Sequence, residues 1–201
     1  DLGDEGVKAL TALKSMPSLQ TLAISVNSCG VKTSGAIALT CLADAPLLHT
    51  LVLNLRYNQL RSAGAQALAS FKDAPFLHTL TLDLAANNIA CDSDSSILEA
   101  LKESTLLHTV ILDLSHNCLG DAGAGSLAAL KGAQMLRELT LNLSDNGICE
   151  AGAQALASLT EAPSLQILTL DLHDNALGDS GVEVLQSITE SNSQLTLFLK
   201  I

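Results

Sequence analysis

A segment of alternating leucines recurs along this chain at an almost constant interval. The recurring units begin at Leu19, Leu48, Leu77, Leu107, Leu136 and Leu165, and a last strand opens near Gln194. The steps between these leucines are 29, 29, 30, 29 and 29 residues. A fixed period of this length is the signature of a solenoid, in which each unit buries its apolar face against its neighbours. The period therefore predicts a single domain over residues 1–201, with a half unit at 1–18 and a final strand at 194–201.

Each unit divides into a strand-like half and a helix-like half. Leu80, Leu82 and Leu84 alternate, which is the period of a strand with one buried face. In the second half, apolar and small residues are spaced by three and four and alanine is frequent, which favours a helix. Residues able to cap that helix precede the small-residue position: Asp4, Thr33, Ser62, Asp121 and Asp179. Prolines stand where the helix must end: Pro17, Pro46, Pro75 and Pro163.

One polar position separates the two halves of the units. It is occupied by cysteine in the first unit and by asparagine in the others: Cys29, Asn58, Asn87, Asn117, Asn146 and Asn175. An inward-pointing amide both donates and accepts, so it can satisfy backbone groups that the bend after each strand leaves unpaired. We interpret these residues as a structural asparagine ladder without a catalytic role.

The segment Leu112–Ala124 combines Leu-x-Leu-x-x-Asn-x-Leu with Gly-Asp-x-Gly-Ala, and the same pattern recurs over Leu170–Gly181. It resembles the leucine-rich repeat of the ribonuclease-inhibitor type, and the resemblance covers essentially the whole chain. The resemblance implies an α/β horseshoe with a parallel sheet on the concave side, helices on the convex side, and a role in binding proteins. The chain departs from that type by additional leucines such as Leu51, which predict longer strands. The unit from Leu77 departs further, with one additional residue and Ser93 in place of glycine.

Charge and composition narrow the classes of partner. The chain has 10 Lys and Arg against 21 Asp and Glu, a formal net charge of -11, which repels nucleic acid and attracts basic surfaces. No apolar run approaches the roughly 18 residues of a membrane span. The five cysteines form neither a closely spaced pair nor a cluster with metal-ligand spacing, which favours reduced thiols and an intracellular, cytoplasmic protein. An organelle stays open, because the sequence begins inside a repeat without Met.

Residues between the inward-pointing leucines face the open surface of the sheet. One position gives a column of small polar or acidic side chains, about 5 Å apart: Ser25, Asn54, Asp83, Asp113, Asn142 and Asp171. Such a column could receive lysine or arginine from a partner, and a merely solvated sheet face is the alternative. Asp83 beside Asp113 also resembles the carboxylate pair of a retaining glycosidase. No companion site accompanies the pair, so we predict no enzymatic activity.

The residues that follow the strand ends give further candidates for the binding rim. They are Arg56 with Tyr57, Ser115 with His116, and His173 with Asp174. Arginine and tyrosine are frequent anchors of protein interfaces, although isolated exposed aromatics are also common.

Three histidines, His49, His78 and His108, fall in one column before the strands. Stacked imidazoles invite a zinc or pH-switch interpretation. Neighbours in a flat ladder do not converge on one tetrahedral point, so we interpret them as a polar ladder and expect no metal and no cofactor.

The third unit carries an irregular polar segment, Asp92–Ser96, that begins like a calcium-binding loop. Ile97 stands where that loop requires glycine, and its spacing to Leu101 continues the helical pattern. We therefore interpret the segment as a turn and helix start. Because it breaks the repeat, Asp92 and Asp94 are candidate contact residues.

These patterns predict an interaction scaffold that binds a protein with a basic surface, through the sheet face or the irregular third unit. A regulatory module, such as a GTPase-activating or sensor region, is the alternative. The chain begins in the helical half of a unit and ends on an apolar strand. We therefore expect a segment of a longer polypeptide or a subunit of a larger assembly.

Overall fold

The computed structural model describes residues 2–90, 98–191 and 195–201, with the backbone alone for residues 189–191. In these ranges, five-residue strands alternate with helical segments. The strands are β1 (Thr21–Ser25), β2 (Thr50–Asn54), β3 (Thr79–Asp83), β4 (Thr109–Asp113), β5 (Glu138–Asn142), β6 (Ile167–Asp171) and β7 (Thr196–Lys200). The α-helices are α1 (Gly3–Leu10), α2 (Thr33–Leu39), α3 (Arg61–Leu68), α4 (Gly120–Ala128), α5 (Glu150–Ala157) and α6 (Gly178–Ser191).

Short 3-10 turns follow helices α1 to α5, and another lies in the third unit. They are Thr11–Ser15, Thr40–Asp44, Ala69–Asp73, Glu99–Glu103, Ala129–Gly132 and Ser158–Glu161. The predicted helix start at 92–96, with the candidates Asp92 and Asp94, lies outside the described residues, as does the predicted opening of the last strand near Gln194.

The seven strands form one parallel sheet in the order of the chain. The register joins equivalent positions of successive units, so that Thr50 pairs with Thr79 and Asn54 pairs with Asp83. Parallel neighbours need a crossover, which the helical half of each unit supplies. Strands lie about 4.8 Å apart and packed helices about 8–10 Å apart, so the stack curves with the sheet on its concave side. The predicted fold class, an α/β solenoid, is confirmed.

Leucines from every unit fill the space between the sheet and the helices. Leu51 and Leu53 in β2 and Leu55 after it are buried, and Leu48 is buried in the turn before the strand. The additional leucine of each unit, such as Leu51, therefore extends the buried row into the strand. Each fully buried leucine contributes about 2 kcal/mol of transfer free energy, so the core rests on many small side chains.

The prediction that polar residues cap their own helices is wrong. Helices α1, α3 and α4, whose first turns hold Asp4, Ser62 and Asp121, have no side-chain cap bond at their N-termini, and neither has α2 at Thr33. Asp121 instead reaches the next unit, where its Oδ1 accepts the backbone N–H groups of Cys149 at 2.7 Å and Gly152 at 2.9 Å.

Asp4 and Thr33 also make their hydrogen bonds to the next unit, Asp4 as an acceptor and Thr33 as a donor. Asp4 Oδ1 accepts the backbone N–H of Lys32 at 2.7 Å, and the Thr33 hydroxyl donates to the carbonyl of Leu60 at 2.7 Å. In a stack of units, the open amides of one helix lie beside the first turn of the preceding helix, so the cap comes from there. Asp179 lies exposed in the first turn of α6.

This contact between units accounts for glycine at two equivalent positions of the repeat, Gly35 and Gly152. A Cβ added at Gly152 would lie 2.6 Å from Asp121 Oδ1, and one added at Gly35 would lie 2.6 Å from Asp4 Oδ1. Glycine is required at these positions because the carboxylate of the preceding unit occupies the space that a side chain would need.

Candidate functional site

The asparagine ladder lies beneath the strand ends and fixes the turns that carry the candidate site. The Oδ1 of buried Asn117 accepts the backbone N–H groups of Asn87 at 3.0 Å and Ile89 at 2.9 Å, both in the preceding unit. Its Nδ2 donates to the carbonyls of Leu84 at 3.1 Å and Leu114 at 2.9 Å. Comparable bonds to the preceding unit are made by Asn58, Asn87, Asn146 and Asn175. Each amide thus joins two units while holding the turn after its own strand.

Cys29 occupies the same position in the first unit without an amide. Its thiol lies 3.2 Å from the carbonyl oxygen of Asn27, and its backbone N–H donates to Asn58 Oδ1 at 3.1 Å. The position is therefore joined to the second unit through its backbone N–H, which donates to Asn58.

We call the strand ends and the turns after them the end edge of the sheet. The register places one column there, consisting of Ser25, Asn54, Asp83, Asp113, Asn142, Asp171 and Lys200. The asparagine and aspartate side chains accept the backbone N–H two residues later, as from Arg56 to Asn54 at 3.2 Å and from Ser115 to Asp113 at 3.0 Å. These bonds orient each side chain against its own turn.

Two carboxylates and one guanidinium meet in the middle of the end edge. Asp83 pairs with Asp113 in the register, and Nη1 of Arg56 lies 3.9 Å from Asp113 Oδ2. Burial raises the pKa of Asp83, and the charge of Asp113 acts in the same direction while Arg56 opposes it. Arg56 also donates to the Tyr57 hydroxyl at 3.3 Å, with its Cζ 4.8 Å from the centre of that ring. Tyr57 is 54% exposed, so the cluster presents an aromatic ring to solvent beside its carboxylates.

The last residue of the same column is a cation, Lys200, which neighbours Asp171. Lys200 Nζ lies 2.9 Å from Asp171 Oδ2 and 3.0 Å from His173 Nδ1, and His173 also bonds to the carboxylate of Asp171. Burial acts to raise the pKa of Asp171, but the hydrogen bonds from His173 and Lys200 outweigh it and lower that pKa. Asp171 is therefore neutralised within the chain. The sequence signal for Lys200 is its place one repeat after Asp171, which our interpretation of the sequence missed.

His116 lies on the same side of the sheet but outside the middle cluster. Its Nδ1 is 2.9 Å from Asp145 Oδ2 in the next unit, and both side chains are exposed. Of the predicted contact residues, the structure brings together Arg56, Tyr57, Asp83 and Asp113, with Asn54 beside them in the column. His116, Asp171 and His173 stand apart, and Asp92 and Asp94 lie outside the described residues.

The histidine column lies at the opposite edge of the sheet. The rings of His49 and His78, and those of His78 and His108, stack with centroids 5.4 Å apart and planes inclined by 9°. Parallel rings at this separation do not direct their nitrogen atoms towards one point. In the part of the chain that the structure describes, no group of three or more His, Cys, Asp or Glu side chains could hold a metal ion.

Two further observations concern the chain as a whole. The described cysteines Cys29, Cys41, Cys118 and Cys149 are free thiols. Across residues 2–90, 98–191 and 195–201, the helices are too short or too polar to span a bilayer.

A family model described as leucine-rich repeat matches residues 48–69, 110–128, 134–157 and 166–185. No curated protein matches the chain significantly. The four matched segments each contain a strand or most of one, and together with the sheet they support the resemblance seen in the sequence.

Proposed function

We propose that this chain, which is a leucine-rich repeat protein, binds a protein with a basic surface at the middle of the end edge. Repeats of this family generally mediate protein–protein interaction. The proposed contact residues are Asn54, Arg56, Tyr57, Asp83 and Asp113. The sequence predicts an interaction scaffold, and this proposal adds the residues that make the contact.

One observation carries the choice of site, namely the different partners of the carboxylates in the strand-end column. Asp171 has Lys200 at 2.9 Å, whereas Asp83 accepts the backbone N–H of Ala85 at 3.2 Å and shares Arg56 with Asp113. Two carboxylates against one guanidinium leave negative charge that a lysine or arginine of a partner would neutralise. A basic partner would relieve the repulsion between the two carboxylates when it binds, and a neutral partner would not, so a basic partner is favoured.

The surface beside the carboxylates supplies the apolar part of the contact. The outward position at mid-strand is occupied by Val52 on β2, Thr81 on β3 and Ile111 on β4, and all three are partly exposed. Protein interfaces combine an apolar centre with a polar rim, and tyrosine and arginine are their common anchors. The net charge of -11 would add long-range attraction for a basic protein.

Three further expectations accompany this proposal. The ribonuclease-inhibitor-like subtype rests on the Leu-x-Leu-x-x-Asn-x-Leu pattern, and an intracellular location is supported by the free thiols. Membership of a larger assembly rests on the repeat architecture. No described residue favours the GTPase-activating or sensor alternative over simple binding.

The test is affinity capture with charge-matched variants, read by quantitative mass spectrometry. We expect Asp83→Asn/Asp113→Asn to lose basic partners that the unchanged protein retains, and about 0.5 M salt to release them because it screens exposed charges. The control is Glu150→Gln/Glu183→Gln, which removes the same charge from exposed positions on helices α5 and α6. Equal capture by both double variants, each checked to be folded and to unfold cooperatively, would contradict the proposal.

A further inference from the structure

Two of the aspartates in the strand-end column use their two oxygens in different ways. One oxygen accepts from the residue two positions later, and the other accepts from the column residue of the next unit. In Asp113, Oδ1 accepts the backbone N–H of Ser115 at 3.0 Å and its hydroxyl at 2.6 Å, while Oδ2 accepts the Asn142 amide at 3.1 Å. Both oxygens of Asp113 are therefore bound within the chain.

Asp171 follows the same pattern with a cation from the next unit. Its Oδ1 accepts the backbone N–H of His173 at 3.3 Å and also bonds to the imidazole of that residue. Its Oδ2 lies 2.9 Å from the ammonium of Lys200, the column residue one repeat later. The oxygen that the turn leaves open is thus the atom to which a lysine side chain binds in this structure.

Asp83 departs from the pattern at both of its oxygens. Its Oδ1 accepts the backbone N–H of Ala85 at 3.2 Å, but buried Ala85 has no side-chain donor to add. The next column residue is Asp113, whose carboxylate has no proton to donate to Asp83 Oδ2. In the part of the chain that the structure describes, which includes every Lys, Arg and His, Asp83 forms no ion pair, and Arg56 pairs with Asp113 instead. Two separate interruptions of the pattern therefore meet at one carboxylate.

The surroundings of Asp83 make its open oxygen a good acceptor. The side chain is partly buried, and burial raises its pKa because the ionised form is partly withdrawn from water. A carboxylate that has lost water and lacks donors gains more from a charged hydrogen-bond donor than one whose oxygens are already bound.

We propose that Asp83 Oδ2 binds a lysine ammonium of the basic partner, and that Ala85 and Asp113 determine this specificity by leaving that oxygen without a donor from the chain. The inference rests on the proposed function and deepens it by naming the atom and the side chain that it binds. An ammonium is a compact charge that suits one open oxygen, whereas a planar guanidinium binds best to both oxygens of a carboxylate. Asp113 contributes its charge to the contact as well.

The first experiment identifies the side chain of the partner. A displayed library of short random peptides is selected on the unchanged protein, and peptides that also bind Asp83→Asn/Asp113→Asn are removed. We expect the remaining peptides to lose binding to Asp83→Asn and to share a lysine whose replacement by arginine raises Kd. Peptides that share an arginine instead, or that bind Asp83→Asn undiminished, would overturn this inference and leave the proposed function standing. An empty selection would contradict both.

The second experiment compares two substitutions that remove the same charge from Asp113. Asn142 accepts from Ser144 with its Oδ1 and donates to Asp113 with its Nδ2, so Asp113→Asn should donate to Asp83 Oδ2 in the same way. Asp113→Ala removes the charge without supplying a donor. We expect the Kd of a selected peptide to be about fivefold higher for Asp113→Asn than for Asp113→Ala, the value of one net hydrogen bond. Equal Kd values, or tighter binding by Asp113→Asn, would overturn the inference.

The third experiment adds a donor at Asp83 and leaves every charge in place. Ala85→Ser copies Ser115 and Ser144, which are buried at the same position of their units. Its hydroxyl should lower the pKa of Asp83, followed by NMR during a pH titration, and raise the Kd of the peptide about threefold. The control is Ser144→Ala, which changes the same group beside Asn142 and should leave Kd unaltered. A Kd that Ala85→Ser does not change, or a pKa of Asp83 that it does not lower, would show that this carboxylate does not lack donors, against the inference.

Discussion

The two edges of the sheet join successive units by different means. At the end edge, buried side chains add to the backbone bonds between units, as Asn117 does with bonds to Asn87 and Ile89 of the preceding unit. At the start edge, which consists of the turns that precede the strands, backbone bonds join the units: the N–H groups of His78 and Thr79 both donate to the carbonyl of His49. The asparagines beneath the end edge are therefore part of the connection between units, whereas the histidines of the start edge are not needed for it.

The largest effect that this comparison predicts is on stability. Asn117→Ala leaves two backbone N–H groups and several carbonyls unsatisfied in a buried turn, so we expect the free energy of unfolding to fall by about 3 kcal/mol or more in urea denaturation. The control at the start edge is His108→Ala, for which we expect a loss below about 1 kcal/mol. Similar losses for the two variants would show that side chains join the units equally at both edges.

A second prediction concerns the caps between units and uses one substitution at two sites. Gly152→Ala would push a Cβ against Asp121 and disturb its bonds to α5, so we expect a loss of about 1–2 kcal/mol. Gly125→Ala, on the exposed side of α4 with nothing within 4 Å of the new Cβ, should gain up to about 1 kcal/mol from helix propensity. The measurement is the melting temperature of each variant, and shifts of the same sign would argue against the cap.

The third prediction concerns the pH dependence of the stability that Asp171 contributes near the last strands of the column. Because bonds from His173 and Lys200 lower the pKa of Asp171 in the folded state, its ionised form stabilises the fold at neutral pH. Asp171→Asn should therefore lower Tm at pH 7, and the difference should shrink as the pH falls from about 5 to about 2. Lys200→Met should reproduce part of the loss. A difference that stayed constant with pH would mean that packing, and not ionisation, is responsible.

The smallest expected effect has the opposite sign and lies in the middle of the same column. The pKa of Asp83 is raised by burial, so its ionisation costs the folded state stability as the pH rises through the range of carboxyl groups. Asp83→Asn should raise Tm at pH 7 by about 1 °C and leave it unchanged near pH 3. If Asp83→Asn raises Tm and also loses partner binding, the Asp83 carboxylate serves recognition at a cost in stability. A drop in Tm like that of Asp171→Asn would contradict the distinction.

Sequence periodicity located most of the fold. The alternation of leucines placed the strands, and the spacing of the polar position identified the asparagines, since both patterns repeat with the geometry of a single unit. The caps were assigned to the wrong helices because Asp121 binds amides 28 and 31 residues further along the chain. Local spacing describes a helix and its own first turn, and it carries no information on which neighbour the side chain reaches.

The candidate site was likewise predicted from the sequence only in part. The sequence supplied the column of acidic residues, yet it treated its members as equivalent. Only the packing of successive strands shows that Lys200 neutralises Asp171 while Asp83 and Asp113 share Arg56. The exposure of Leu47 and Phe76 in the turns before the strands was likewise not evident from the sequence, because it depends on what covers these side chains and not on their spacing.

The sequence alone thus established the repeat, the α/β solenoid and the two rows of polar residues along the sheet, because each is a property of one unit copied along the chain. The tertiary structure decided which helix each carboxylate caps, which carboxylates are paired with a cation of the chain, and which large apolar side chains stay exposed. Those outcomes depend on contacts between units, where residues about 30 positions apart become neighbours.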